Sequence, residues 1–243
     1  MALQEGTRFD HVRATALTLQ RALLSEPPEV DGVEVRVRYR PAGAGAEVGG
    51  DWYDVFALPG GDTAVVVGDV AGHDFNAAAV MGQLRSMLRG FAVHGGGAPE
   101  DVLGALDHVI TEMRLTRLAT CVYARVTRPG PVVRWSNAGN PGPVLLLPSG
   151  QTRVLDRPRD PALGIPGAPE RTSGTVHLTP GSTLLLFSDG LFERRGRDVD
   201  DTFADLRARI GARPGAGLDD LCDELLAHAP PDDDLVLVAL RPR

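Results

Sequence analysis

Residues 119–147, ATCVYARVTRPGPVVRWSNAGNPGPVLLL, hold three short apolar runs rich in β-branched and aromatic residues, broken by proline and glycine. Runs of that length bounded by turn clusters such as Arg128-Pro129-Gly130 predict consecutive strands. The pattern continues in TSGTVHL (172–178) and TLLLFSD (183–189), with turns at Pro148-Ser149-Gly150 and Pro180-Gly181, so this half of the chain reads as a meander. Upstream, Val33, Val35, Val37 and Tyr39 alternate with Glu34, Arg36, Arg38 and Arg40, the period of a strand with one buried face. The run TAVVVG (63–68) is continuously apolar, suits a strand covered on both sides, and stops at Asp69.

Helical spacing appears in pairs. Met81, Leu84, Leu88 and Phe91 share one face over 76–91, and Pro99 opens a second helical pattern through Val102, Leu106, Val109, Ile110 and Met113. Two more patterns, about 200–211 and 217–228, precede a final strand LVLVAL at 235–240. Helices arriving in pairs within a mostly antiparallel sheet point to an α+β or α/β sandwich with helix pairs on the sheet faces, not to a βαβ doubly wound fold. The proline-rich loop 156–171 reads as an ordered surface excursion.

A chain of 243 residues, 43% hydrophobic, can bury a core as one domain. We expect a linker or regulatory helix over 1–26 and a catalytic domain over 27–243. Phe9, Val12, Ala16, Leu19 and Leu23 fall on one helical stripe, which suits either docking on the domain or a dimerising, signal-transmitting linker; Pro27-Pro28 ends it. The net charge of -7 and the lack of a clustered basic face exclude a nucleic-acid binder. All 25 basic residues are arginine, a compositional bias. Cys121 and Cys222 lie in apolar patterns and read as buried free thiols in a reducing compartment. No apolar run is long enough to span a bilayer, so a cytoplasmic protein without membrane contact is expected.

The chemistry is suggested by where aspartates fall. Asp51 follows Gly49-Gly50, Asp69 ends a strand, Asp189 follows LLLFS and precedes Gly190, and Asp232-Asp233-Asp234 directly precede the last strand. One such residue would ordinarily be a turn or cap. Four carboxylate positions at strand ends are costly to bury together without a cation. Hard oxygen donors, without clustered histidine or cysteine, select Mg²⁺ or Mn²⁺ over Zn²⁺.

The segments EVGGDWYDVF (47–56), VVVGDVAGHD (65–74), AAAVMGQLR (77–85), WSNAGNPGPVLL (135–146), LGI (163–165), LLLFSDGLFERRG (184–196) and DDDLVLVAL (232–240) resemble, in order, the motifs of the type-2C metal-dependent protein phosphatases. The branch they most resemble is that of stage II sporulation protein E and the RsbU-like stress phosphatases. The resemblance implies an αββα sandwich with a binuclear site for two divalent cations, Mn²⁺ or Mg²⁺, at one edge of the sheets. Asp69 would bridge both metals, the Val70 carbonyl would bind one, Asp51 would ligate the second, and Asp189 and Asp233 would complete the first. Asp233 is chosen within its triplet as the first of a pair directly before the strand.

Through the water those metals activate, Asp69 and Asp51 would be the catalytic residues, with no covalent phosphoenzyme. The sequence carries no Cys-x5-Arg loop. His73 is either a general acid or a residue packing the turn into the 76–91 helix. Asp54 and Glu47 either orient metal waters or make plain hydrogen bonds. The chain departs from the family pattern at Asp74, in place of glycine, at Asn140, in place of histidine and thus positioned to alter substrate handling, and at Val236, in place of threonine or a small residue. The resemblance further implies a phosphoserine or phosphothreonine protein substrate, an anti-sigma-factor antagonist, and a sensor domain joined through a helix ending like TLQRALL (18–24), with a homodimer through that helix as another option. A binding-only pseudophosphatase and a phosphatase of small phosphate esters are the competing functions.

Overall fold

The computed structural model describes residues 27–41, 49–72, 74–115, 117–127, 131–231 and 233–243. The expected helix over 1–26, together with His73, Glu47 and Asp232, lies outside them. The chain runs β1 (Val33–Arg40), β2 (Trp52–Ala57), β3 (Thr63–Val70), α1 (Phe75–His94), α2 (Pro99–Glu112), β4 (Ala119–Thr127), β5 (Val132–Ala138), β6 (Val144–Leu146), β7 (Thr152–Val154), β8 (Gly174–His177) and β9 (Thr183–Phe187). A 3-10 turn (Asp189–Leu191), α3 (Val199–Gly211), α4 (Leu218–His228) and β10 (Leu235–Pro242) complete it.

The strands form two five-stranded sheets, β1-β10-β9-β6-β7 and β2-β3-β4-β5-β8, in which every neighbouring pair is antiparallel. Alternation along each strand sends one set of side chains between the sheets and the other under helices. Val65, Val67, Val122 and Ala124 thus meet Leu184, Leu186, Val236 and Val238 in the inter-sheet core. On the outer face of the second sheet, Val66 and Tyr123 pack with Met81, Leu84, Leu88, Leu103 and Leu106 of α1 and α2. Leu185, Phe187 and Leu237 pack with Leu206, Ile210, Leu221 and Leu225 of α3 and α4. The layers are αββα, as expected.

Local chemistry sets the helix starts. The Asp74 carboxylate accepts from the Ala77 amide at 2.8 Å and caps α1; Pro99 occupies the first turn of α2 with Glu100 and Asp101 behind it; Asp198 caps α3. Both cysteines are buried free thiols.

Three local expectations change. β3 does not stop at Asp69 but continues through Val70, because Asp69 and Val70 still pair with Thr120 and Ala119. The arginine face of β1 is not simply solvated: Arg36 and Arg38 reach Asp219 and Asp223 of α4 at 2.6–2.8 Å, so a helix covers what alternation alone assigns to water. The 156–171 loop is not wholly superficial either. Leu163 is fully buried and bridges to Ala119, and Arg171 clamps the loop to Asp107.

Candidate active site

Three strand ends and the residue before β2 deliver the aspartates to one edge of the sandwich. Asp69 and Val70 are the last residues of β3, and Asp51 immediately precedes β2, whose Trp52 pairs with Gly68. In the other sheet, the register Phe187 to Leu237 carries Asp189, two residues past β9, toward Asp233 and Asp234 at the start of β10. Short hydrogen bonds join the two halves. Ser188 donates its hydroxyl to Asp51 Oδ2 at 2.6 Å and accepts from the Val236 amide at 3.0 Å, while the Asp51 amide donates to Asp234 Oδ2 at 3.0 Å. The Val70 amide donates to the Gly50 carbonyl at 3.2 Å.

The electrostatics of this edge are those of crowded carboxylates. Asp51 is 2% exposed and Asp234 is 5% exposed, whereas Asp69 and Asp189 are half-buried and Asp233 is exposed. Burial, then the facing charges of Asp234 and Asp69, push the Asp51 carboxyl well above the usual carboxylate range, against the Ser188 hydrogen bond. Burial, then repulsion from Asp189, Asp234 and Asp233, raises Asp69 to about 7. Asp234 is raised to about 7, chiefly by burial, and Asp189 to about 6 by burial and then by Glu193 and Asp233. Among the described residues, none of these five aspartates pairs with an arginine or histidine.

The donor set fits a hard divalent cation: carboxylates and a backbone carbonyl, without soft ligands. The backbone makes room for it. A Cβ on Gly50 would stand 2.1 Å from the Val70 carbonyl oxygen and 2.8 Å from Asp69 Oδ1, and one on Gly190 would stand 2.0 Å from the Asp234 carbonyl oxygen. Only glycine permits such approach. Among the described residues, no three carboxylate, imidazole or thiolate side chains already stand as a closed metal-holding group. The edge is a set of unneutralised donors rather than a finished cage.

The profile of the stage II sporulation protein E (SpoIIE) family matches residues 59–243. The chain belongs to that family. Among solved structures similar to this SpoIIE-family chain, the RsbU and RsbW domains of Rv1364c from Mycobacterium tuberculosis share 30% identity at a TM-score of 0.78, covering 90% of this chain and 62% of that one. The SiaA-PP2C domain of Pseudomonas aeruginosa has a TM-score of 0.78 at 20% identity, covering 100% of both chains, a likeness of fold. Protein IcfG of Synechocystis sp. (strain ATCC 27184 / PCC 6803 / Kazusa) is 25% identical over 248 residues, 88% of this chain. The chain spans only 38% of that protein's length. Family and fold agree: the profile is that of SpoIIE, and the αββα sandwich is the fold of the SiaA-PP2C domain. Among the described residues, no helix is long and apolar enough to cross a membrane.

The departures from the SpoIIE-family pattern acquire physical reasons. Asp74 caps α1 and pairs with Arg117 at 2.6 Å. Asn140 is fully buried, and its side-chain amide donates to the Phe187 carbonyl at 3.0 Å while its oxygen accepts from Thr120. It ties the two sheets together at Phe187 on the facing strand, two residues before Asp189. Val236 packs its side chain in the inter-sheet core and lends its amide to Ser188. Asp54, considered for orienting metal waters, points instead to α1: it pairs with Arg85 at 3.2 Å and Arg89 at 3.6 Å, and Arg89 lies 4.7 Å from the Phe56 ring centroid. Ser188 escaped the sequence reading, its only signal being adjacency to Asp189. Asp234 is visible there as a member of the aspartate triplet, but its hydrogen bond from the Asp51 amide is not.

Proposed function

We propose that this SpoIIE-family domain is a metal-dependent phosphatase of phosphoserine and phosphothreonine in proteins, using two divalent cations, Mn²⁺ or Mg²⁺. The carrying observation is the group of Asp51, Asp69, Asp189 and Asp233 at one sheet edge, mutually repelling and without a basic partner among the described residues. Asp51, Asp69, the Val70 carbonyl, Asp189 and Asp233 would hold the cations. Asp233 is taken from the motif resemblance; each carboxylate of the pair accepts one amide, Asp234 from Asp51 and Asp233 from Asp234, both at 3.0 Å, while Asp234 is the more buried. Asp234 and Ser188 then act as positioning residues that fix Asp51 from its backbone and side chain. When bound, the cations supply an acidified water and neutralise charge on the phosphoryl oxygens. Asp51 and Asp69 would orient that water, and Ser188 holds the Asp51 carboxylate through a 2.6 Å hydrogen bond.

From the motif resemblance to RsbU-like stress phosphatases we infer a protein substrate, an anti-sigma-factor antagonist in the cytoplasm; the similarity to the RsbU and RsbW domains supports a regulatory partner. Residues 1–26 would link the catalytic domain, 27–243, to a sensor domain or to a second copy. The test is Mn²⁺-dependent hydrolysis of a phosphoserine protein against small phosphate esters, with wild type and Asp69→Asn. Preference for the protein, abolished by the substitution, supports the reading. Equal activity of both proteins overturns it.

A further inference from the structure

Just beyond Asp189 the chain gathers positive charge, although the protein as a whole carries -7. The 3-10 turn ends with the Phe192 and Glu193 amides on the Asp189 carbonyl, and the following FERRGR passes over α3 and α4. There Arg194, Arg197 and Arg209 line a cavity of about 90 Å³, together with Asp205 and His228, over an apolar floor that includes Leu206. Its lining thus counts three arginines against one aspartate.

Their donors are only partly used. Arg194 gives one nitrogen to the His228 carbonyl at 2.9 Å, and Arg197 pairs with Asp205 at 3.1 Å. Arg209, one helical turn past Asp205, makes no side-chain hydrogen bond or ion pair among the described residues, so its full fork is available. Planar guanidinium forks recognise oxyanions bidentately, and several around one small cavity favour a tetrahedral or carboxylate anion over a neutral ligand. The Leu191–Arg197 segment follows the Asp189 turn directly in the chain, so the cavity's arginines and the aspartate edge are joined by a few residues.

We propose that this arginine-lined cavity is an oxyanion subsite, occupied by an acidic group that the phosphoprotein substrate carries beside its reacting phosphoryl group, or by free phosphate. Attribution to substrate rests on the phosphatase reading above; binding of the anion does not.

Two arms separate these. Inorganic phosphate is titrated into the metal-free full chain and followed by backbone amide shifts. Saturable shifts in Leu191–Arg197 and α3, weakened about tenfold or more in Arg197→Gln/Arg209→Gln, support the site. No shift there, or identical binding by the double variant, overturns it whatever the enzyme's activity. In the second arm, KM is compared for phosphoserine peptides with glutamate or alanine flanks on the Mn²⁺-loaded protein. A lower KM for the acidic peptide, lost in the double variant at unchanged kcat, assigns the anion to substrate. Equal KM values in wild type, with phosphate still bound in the first arm, rule out the substrate and leave free phosphate as the occupant.

Discussion

Replacing Gly50 by alanine perturbs the aspartate edge without removing any donor. The added Cβ would stand 2.1 Å from the Val70 carbonyl oxygen and 2.8 Å from Asp69 Oδ1, more than 1 Å inside ordinary contact with the first, and that first obstacle is backbone. Gly50 itself accepts the Val70 amide at 3.2 Å, so moving one strand off the other strains that bond. Overpacking of this kind costs about 1–3 kcal/mol, or roughly 2–10 °C in melting temperature for a domain of this size. The effect on function should be larger, because a displacement near 1 Å at a catalytic centre lowers turnover by about a hundredfold. Differential scanning calorimetry, Mn²⁺ titration calorimetry and phosphopeptide hydrolysis would be run on Gly50→Ala beside Gly90→Ala. Gly90 lies in α1 with nothing within 4 Å of a Cβ, so its substitution should add about 0.5–1 kcal/mol of stability and leave activity alone. Wild-type metal affinity and turnover in Gly50→Ala would refute the argument that the Val70 carbonyl and Asp69 define the site.

Two further outcomes follow from the carboxylates. Asp69, Asp189 and Asp234 have folded pKa values of about 7, 6 and 7 against 3.8 ordinarily, so the metal-free folded chain holds more protons than the unfolded chain between those limits. Its stability therefore falls as pH rises through that window, and melting in EDTA should occur several degrees lower at about pH 8 than at about pH 5.5; a rising or flat profile would contradict this. Asp54→Ala leaves buried Arg85 without its carboxylate and should cost about 2–4 kcal/mol in denaturant unfolding, a loss that under about 0.5 kcal/mol would disprove.

Much of the fold was legible because alternation and helical spacing report which face of an element is buried. They do not report what covers it. Hence β1 was read correctly as a strand, while the Asp219 and Asp223 partners of its arginines, more than 180 residues away, were not visible. The same limit applies at the site. Asp51, Asp69 and Asp189 declare themselves through glycine neighbours and strand ends, and the structure brings them together. Ser188 and Asp234 act on Asp51 across separations of 137 and 183 residues, which no local pattern encodes. Asn140 shows the same limit: its motif position gives no sign that closing the two sheets buries it against the Phe187 carbonyl.

The central claim, that the aspartate edge exists to hold divalent cations, has a test in sign as well as size. Thermal stability of wild type and Asp69→Asn would be measured at about pH 7.5 in EDTA and with Mn²⁺. Without metal, Asp69→Asn should be the more stable protein, by about 1–3 kcal/mol, because it removes one of the repelling carboxylates. With Mn²⁺ the order should reverse, wild type gaining stability through ligand linkage and the variant gaining little. Wild type unaffected by Mn²⁺, or both proteins stabilised equally, would contradict the account.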